Sequence, residues 1–285
     1  MPSEIEHLKS TTASRLDRLL DEAVTLWPVM AILNVTPDSF SDGGLYEVEA
    51  AARGRALVAQ GAAILDIGGE STRPGFTPVP LEEEWRRVGP AIEALAEEVE
   101  VPLSIDTTKS ELARRALVAG AVVVNDIWGF QADPMMAETV AAQEAGAVLM
   151  HNRHDIDPAI DIAEDMLRFF EVSLARAAER GVNRHRLMLD PGIGFGKTQS
   201  QQLDAVRAIG RLRGAFGLPV LVGLSKKRFL GHITGAPVER RGIETIAANL
   251  AAAAAGASLF RVHDVADHVA ALKVFGAVRR TEPRA

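Results

Sequence analysis

The chain contains no cysteine, which removes disulfides and thiolate metal sites and leaves nothing that requires an oxidising compartment. A reducing cytoplasm is the expected setting. No apolar run reaches the roughly 20 residues a membrane span needs. The longest, residues 246–257, is alanine-rich and broken by Asn249, and reads as a helix packed closely against a neighbour. The opening Met1-Pro2-Ser3-Glu4-Ile5-Glu6 is polar and acidic, not basic then apolar, so no signal peptide is expected. Basic charge is also scarce. A formal net charge of -7 counts against a nucleic-acid surface, which needs clustered Lys and Arg. The pairs Arg86-Arg87 and Arg114-Arg115 fall on predicted helices and read as solvated faces, whereas Lys226-Lys227 falls at a strand end.

What is present is globular: 285 residues, 47% hydrophobic and 24% charged. Short β-branched runs at residues 29–33, 63–67, 103–105, 122–124, 147–150, 187–189, 220–222 and 259–262 alternate with longer amphipathic segments such as 81–99 and 160–180. Strands alternating with helices imply parallel βαβ units. Eight such units in about 250 residues, uninterrupted by a linker, predict a single (β/α)8 TIM barrel over residues 29–278. A doubly wound open sheet is the alternative. Residues 1–28 form an N-terminal extension in which Leu16, Leu19, Leu20 and Ala23 suggest a helix plugging the barrel bottom, and residues 279–285 read as a frayed tail. Gly61, Gly120, Gly146 and Gly256 are each followed by alanine and are expected to end helices.

Barrel chemistry sits at the C-terminal ends of the strands. Those ends are polar or glycine-rich here: Asn34, the 68–75 segment, Asp106, Asn125-Asp126, His151-Asn152-Arg153, Asp190, Ser225-Lys226-Lys227, and Arg261 with His263. A lone Asp after a strand is commonly a turn or helix cap, and Asp126 and Asp264 fit that role. Asp106, Asn125 and Asp190 come from different sides of one rim and would offer acceptors and donors to a flat heterocycle. Arg73, Lys227, Arg261 and His263 supply positive charge suited to a polyanion. Asn34 and Asp42 are oxygen donors that could share Mg²⁺ with phosphate oxygens. A flat polar ring carrying a phosphate or diphosphate is the substrate these residues imply.

Two other metal or nucleotide readings fail on spacing. The segment 190–198 has Pro191 where a phosphate loop needs glycine, and Lys197 where a dinucleotide loop needs it. His263 and His268 are five apart and do not share a helix face as zinc ligands would. His154, His185, His232 and His268 are expected at the surface.

Seven motifs in order resemble those of the dihydropteroate synthase family: NVTPDSFSDGG at 34–44, GESTRPG at 69–75, SIDT at 104–107, NDI at 125–127, DPGIGFGK at 190–197, GLSKKRFLG at 223–231 and RVHDV at 261–265. The resemblance implies condensation of 4-aminobenzoate with 6-hydroxymethyl-7,8-dihydropterin diphosphate, with Mg²⁺, in a dimeric enzyme blocked by sulfonamides. It implies that Asp106, Asn125, Asp190 and Lys227 bond the pterin and that Arg261 stacks on it. Asn34, Arg73, Arg261 and His263 would hold diphosphate, joined by Asp42 and the metal. Phe40, Thr72, Arg73, Pro74, Phe195 and Ser225 would form the aminobenzoate pocket. Two stretches depart from the family pattern: Met150-His151-Asn152-Arg153-His154 replaces Met-His-Met-Gln-Gly, and Ser225-Lys226-Lys227 replaces Ser-Arg-Lys. A methyltetrahydrofolate-binding methyltransferase barrel, which needs no diphosphate site, and a non-catalytic pterin-binding paralogue are the alternatives.

Overall fold

The computed structural model describes residues 4–36, 46–70 and 78–279. Eight strands run in chain order: β1 (Val29–Asn34), β2 (Ile64–Gly68), β3 (Leu103–Asp106), β4 (Val123–Asp126), β5 (Gly146–Met150), β6 (Leu187–Asp190), β7 (Leu221–Val222) and β8 (Leu259–Val262). All neighbours are parallel, in the order β6-β5-β4-β3-β2-β1-β8-β7. A single bridge between Leu189 and Val220 joins the two ends and closes the barrel. The chain is therefore a (β/α)8 barrel. Its strands lie where the apolar runs predicted them, but several ladders continue one or two residues further, taking Asn34, Asp106, Asn125, Asp126 and Asp190 into the sheet.

The outer helices are α2 (Tyr46–Ala59), α3 (Leu81–Glu98), α4 (Ser110–Ala119), α5 (Met136–Ala142), α6 (Ile162–Glu179), α7 (Gln199–Arg207), α8 (Ile209–Phe216), α9 (Arg228–Thr234), α10 (Gly242–Ala255) and α11 (Val265–Arg279), with α1 (Glu4–Leu26) ahead of the barrel. Local chemistry starts them. Asp161 accepts from the backbone N–H of Ala163 and Glu164 at the head of α6, and Thr198 and Gln201 form a reciprocal capping box on α7. No described helix is long and apolar enough to cross a membrane.

Side chains alternate across each strand, and the alternation sorts the apolar interior into two cores. Outward residues such as Val29, Ala31, Leu65, Ile67, Ile105, Leu149, Leu189 and Phe260 pack with the surrounding helices. Inward residues Met30, Ile64, Val123, Val148, Met188, Leu221 and Leu259 pack with Leu16, Leu20 and Ala23 of α1. That helix therefore covers the N-terminal end of the barrel, and the inward apolar layer forms its seat.

Three expectations need correction. Gly120 and Gly256 end helices with φ of 127° and 113°, but Gly146 begins β5, and Glu144 makes the preceding turn with φ of 48°. Gly146 is small for another reason: a Cβ there would lie 3.0 Å from both the Arg186 carbonyl oxygen and the Leu16 side chain. His268 is buried, not at the surface, because it shares the inner face of α11 with Val265 and Leu272. Arg87 also leaves the solvated class: its Nη1 donates to the Gly69 carbonyl at 2.9 Å and ties α3 to the end of β2.

Leu16 is fully buried in the lower core. Leu16→Ala is expected to lower unfolding free energy by about 2 to 5 kcal/mol, measured by denaturant titration. A loss under about 1 kcal/mol would show that α1 does not hold the barrel bottom.

Candidate active site

Two residues up β2, β4, β6 and β8 from the lower apolar layer, the inward side chains become polar. The steps run from Met188 to Asp190, from Val123 to Asn125, from Leu259 to Arg261, and from Ile64 to Asp66 and then Gly68. Ladder register sets Asn34 beside Gly68, Gly68 beside Asp106, and Asp106 beside Asn125. The two inward glycines keep this space open. A Cβ on Gly68 would approach Asp106 and the Asn34 amide oxygen, and one on Gly223 would approach Arg261 and Asp190, all at 3.5–4.0 Å. The described strand-end residues of the sequence motifs thus converge on one cup at the C-terminal end.

Arg261 spans the cup. Its Nε donates to Asp66 Oδ2 at 2.6 Å and its Nη2 donates to Asp106 Oδ2 at 2.6 Å, while Asn125 Nδ2 donates to the same Asp66 oxygen at 3.0 Å. Burial works against the guanidinium charge, but Asp66 and Asp106 outweigh it and hold its pKa above the usual value. Burial raises Asp106 to about 7, against the opposing pull of Arg261 and with reinforcement from Asp66. One cation serves two carboxylates, and the remaining oxygens, Oδ1 of Asp66 and Oδ1 of Asp106, are buried with no hydrogen-bond partner, as is Ser104 Oγ. A buried acceptor left unpaired costs about 1–3 kcal/mol. Such groups ask for donors from a ligand.

The opposite wall is the loop after β6. Asp190 Oδ1 accepts from Gly192 N at 2.8 Å, and burial raises its pKa, countered by Lys227. Lys227, lowered to about 8 by burial, donates to the Ile193 carbonyl and stands 4.6 Å above the Phe195 ring centroid. Ser225 Oγ lies 2.8 Å from His263 Nδ1, joining the ends of β7 and β8. Lys226 turns away to Asp264 at 3.0 Å. Asp126 makes the expected turn, accepting from Trp128 N at 2.9 Å and Phe130 N at 2.7 Å; Asp264 serves as the partner of Lys226.

Asn34 sits half-buried at the end of β1. Phe40, Asp42, Thr72, Arg73 and Pro74 lie outside the described residues. The described base of the loop after β2 is firmly tied. Glu70 Oε2 accepts from Val79 N at 3.0 Å and from Lys109 Nζ at 2.6 Å, and Lys109 also donates to the buried Glu84 at 2.5 Å. No group of three or more acidic or histidine side chains suited to a metal occurs among the described residues.

Asp66 was not among the candidates drawn from the strand ends, because it lies inside the apolar run ILDIG. The signal was available: a carboxylate in the middle of a buried strand must be paired. Lys197 and His151 were also without a role. Both are buried and lie 2.7 Å apart.

Because the folded pKa of Asp106 exceeds that of an unfolded aspartate, native protein binds more protons between about pH 4 and 7 and loses stability through this group as pH rises. Asp106→Asn removes the titration. The stability of the variant relative to the parent should therefore increase from pH 4 to 7 and level off above, measured by denaturant titrations of both proteins. A pH-independent difference would contradict the raised pKa.

The fold and the cup define a barrel enzyme for a flat, nitrogen-rich ring, with acceptors and a guanidinium facing inward from several strands. A family profile described as pterin binding enzyme matches residues 30–263. A Bacillus subtilis dihydropteroate synthase is 42% identical over 265 residues, covering 92% of this chain and 90% of the relative. A solved Xanthomonas albilineans dihydropteroate synthase with 4-aminobenzoic acid is 44% identical, with a TM-score of 0.87 and coverage of 92% of this chain and 98% of that one. The same organism's enzyme in complex with 7,8-dihydropteroate is 42% identical, with a TM-score of 0.83 and coverage of 92% and 99%. The chain belongs to the pterin-binding enzymes, in the dihydropteroate synthase family.

Proposed function

We propose that this chain joins 4-aminobenzoate to 6-hydroxymethyl-7,8-dihydropterin diphosphate, releasing diphosphate and forming 7,8-dihydropteroate, a step of folate biosynthesis. The observation that carries the reading is Asp106: one carboxylate oxygen rests on Arg261 and the other is buried without a donor. A pterin presents ring N–H and amino donors along one edge, which is what that oxygen lacks. Asn125 and Asp190 extend the same edge, and Lys227 supplies a donor to a ring acceptor. Arg261, held by Asp66, keeps its charge beside the ring and toward the diphosphate.

Breaking the methylene C–O bond generates a pterin-stabilised cation and an anionic leaving group, so the barrier falls when positive charge meets the diphosphate as the bond breaks. Arg73, Arg261 and His263 would provide that charge and hold the diphosphate together with Asn34; Ser225 orients the His263 ring through its 2.8 Å contact. An arylamine is already nucleophilic at neutral pH, and no dedicated base is required. Phe40, Thr72, Pro74, Phe195 and Ser225 hold the aminobenzoate in line for attack and exclude water. Asn34 and Asp42 are hard oxygen donors of the type Mg²⁺ takes alongside substrate phosphates. When bound, Mg²⁺ would add to the neutralisation of the leaving diphosphate.

Sulfonamides, as arylamine mimics, would compete for the same pocket. A homodimer is part of this reading. The exposed residues of α10 include Ile243, Ala247, Ala251 and Ala254, one apolar stripe, and neighbouring α11 exposes Val274 and Val278. Such faces suit close helix packing between copies. The cytoplasm is the proposed location.

Purified protein with Mg²⁺ is expected to release diphosphate only when both substrates are present; no turnover would contradict the assignment. Asp106→Ala should cost about 1 to 3 kcal/mol of pterin affinity for each donor left unpartnered, read by calorimetric titration, and near-normal affinity would refute its role. Arg73→Ala should impair use of the diphosphate substrate and 4-aminobenzoate while free pterin still binds. An equal loss of free-pterin affinity would count against it.

A further inference from the structure

The loop after β6 is built around a buried lysine that none of the roles above employs. Lys197 is 3% exposed, and its ammonium donates to the carbonyls of Gly192 at 2.8 Å and Phe195 at 3.1 Å and to His151 Nδ1 at 2.7 Å. Three protons meet three principal acceptors. His151 is fully buried, and its other nitrogen, Nε2, lies 3.1 Å from Asp165 Oδ2, which also takes Arg153 Nη1 at 2.7 Å. Burial depresses His151 to about 4. The ring is therefore neutral, with the proton on Nε2 donated to Asp165 and the Nδ1 lone pair turned to Lys197.

The same contacts clamp two strand-end loops together. A Cβ on Gly192 would fall 1.8 Å from the His151 carbonyl oxygen, and one on Gly196 would fall 2.4 Å from Arg153 Cβ. Both glycines have positive φ, 62° and 55°. Arg153, within the 152–154 stretch that departs from the family pattern, thus lies against the glycine loop. Burying an ammonium is expensive, and its desolvation lowers Lys197 to about 7. The start of α7 does not need it, because Thr198 and Gln201 cap that helix themselves. The atoms Lys197 holds bear on the cup: Phe195 carries the ring under Lys227, and Ile193, between the two tethered carbonyls, accepts from Lys227 Nζ.

We propose that Lys197, backed by His151 and Asp165, is a positioning residue that shapes the 192–196 loop and so places Phe195 and Lys227 for the two substrates. The proposal rests on the reading that those two side chains face substrate. The whole 285-residue chain tests it in two ways. ¹⁵N-histidine spectra should show His151 as the Nε2–H tautomer, still neutral near pH 5; an Nδ1–H tautomer, or titration near the ordinary 6.5, would overturn the network. In Lys197→Met, the KM for 4-aminobenzoate and the Kd for free pterin should each rise about tenfold or more, with His151 titrating higher than in the parent. A lower melting temperature with KM and Kd unchanged, and only turnover per milligram reduced, would overturn it. Should that variant not fold, Lys197→Gln, which keeps a single donating amide, should show the same shifts at smaller amplitude. Phe195→Ala separates the two readings. If its arylamine KM is unchanged, the pocket assignment and this proposal both fall. If its KM rises while that of the Lys197 variants does not, the positioning role alone falls.

Discussion

The structure turns on a guanidinium shared by two buried carboxylates. Arg261 enters from β8 and bonds Asp66 on β2 and Asp106 on β3 at 2.6 Å each, reaching across β1, which lies between those strands in the barrel. Removing one member of such a group leaves an uncompensated charge in the interior, which typically costs about 3–5 kcal/mol. The arrangement also leaves acceptors unmet. Stability and binding are therefore linked in the same atoms: Asp66 anchors the arginine, and Asp106 divides its two oxygens between that arginine and whatever donors enter the cup.

A closed barrel makes this arrangement affordable. Inward side chains at the lower level are apolar apart from Ser104 and pack with α1, forming a floor of Met30, Ile64, Val148, Met188, Leu221 and Leu259. Two residues higher, β2, β6 and β8 carry Asp66, Asp190 and Arg261. Low polarity beneath the cup strengthens each electrostatic contact within it, which is also why Asp106 rises to about 7 and Lys227 falls to about 8. The loops above are set by ties that do not touch the cup directly. Glu70, Lys109 and Glu84 secure the base of the loop after β2, and Lys197 gathers the carbonyls of the loop after β6.

The barrel was legible because parallel strands buried on both faces read as continuous β-branched runs, and several runs led into a polar residue that the ladder then placed on the inner rim. Asp106, Asn125, Asp190 and Arg261 were found that way. Asp66 escaped because it interrupts a run instead of following one, although strand parity puts it on the same face as Ile64 and Gly68. Lys197 and His151 are 46 positions apart, and no local pattern announces their contact. His268 was misplaced for a simpler reason: its spacing from Val265 and Leu272 follows the buried face of α11, which outweighs the usual exposure of a lone histidine.

The central claim is that the polar layer knitted by Arg261 is the pterin pocket. A crystal structure of this protein with bound 7,8-dihydropteroate tests it most directly. The account predicts the pterin ring above the apolar floor, with a ring donor on Asp106 Oδ1 and Arg261 still bonded to Asp66. A ring bound elsewhere, with Asp106 Oδ1 still unmet, would contradict it.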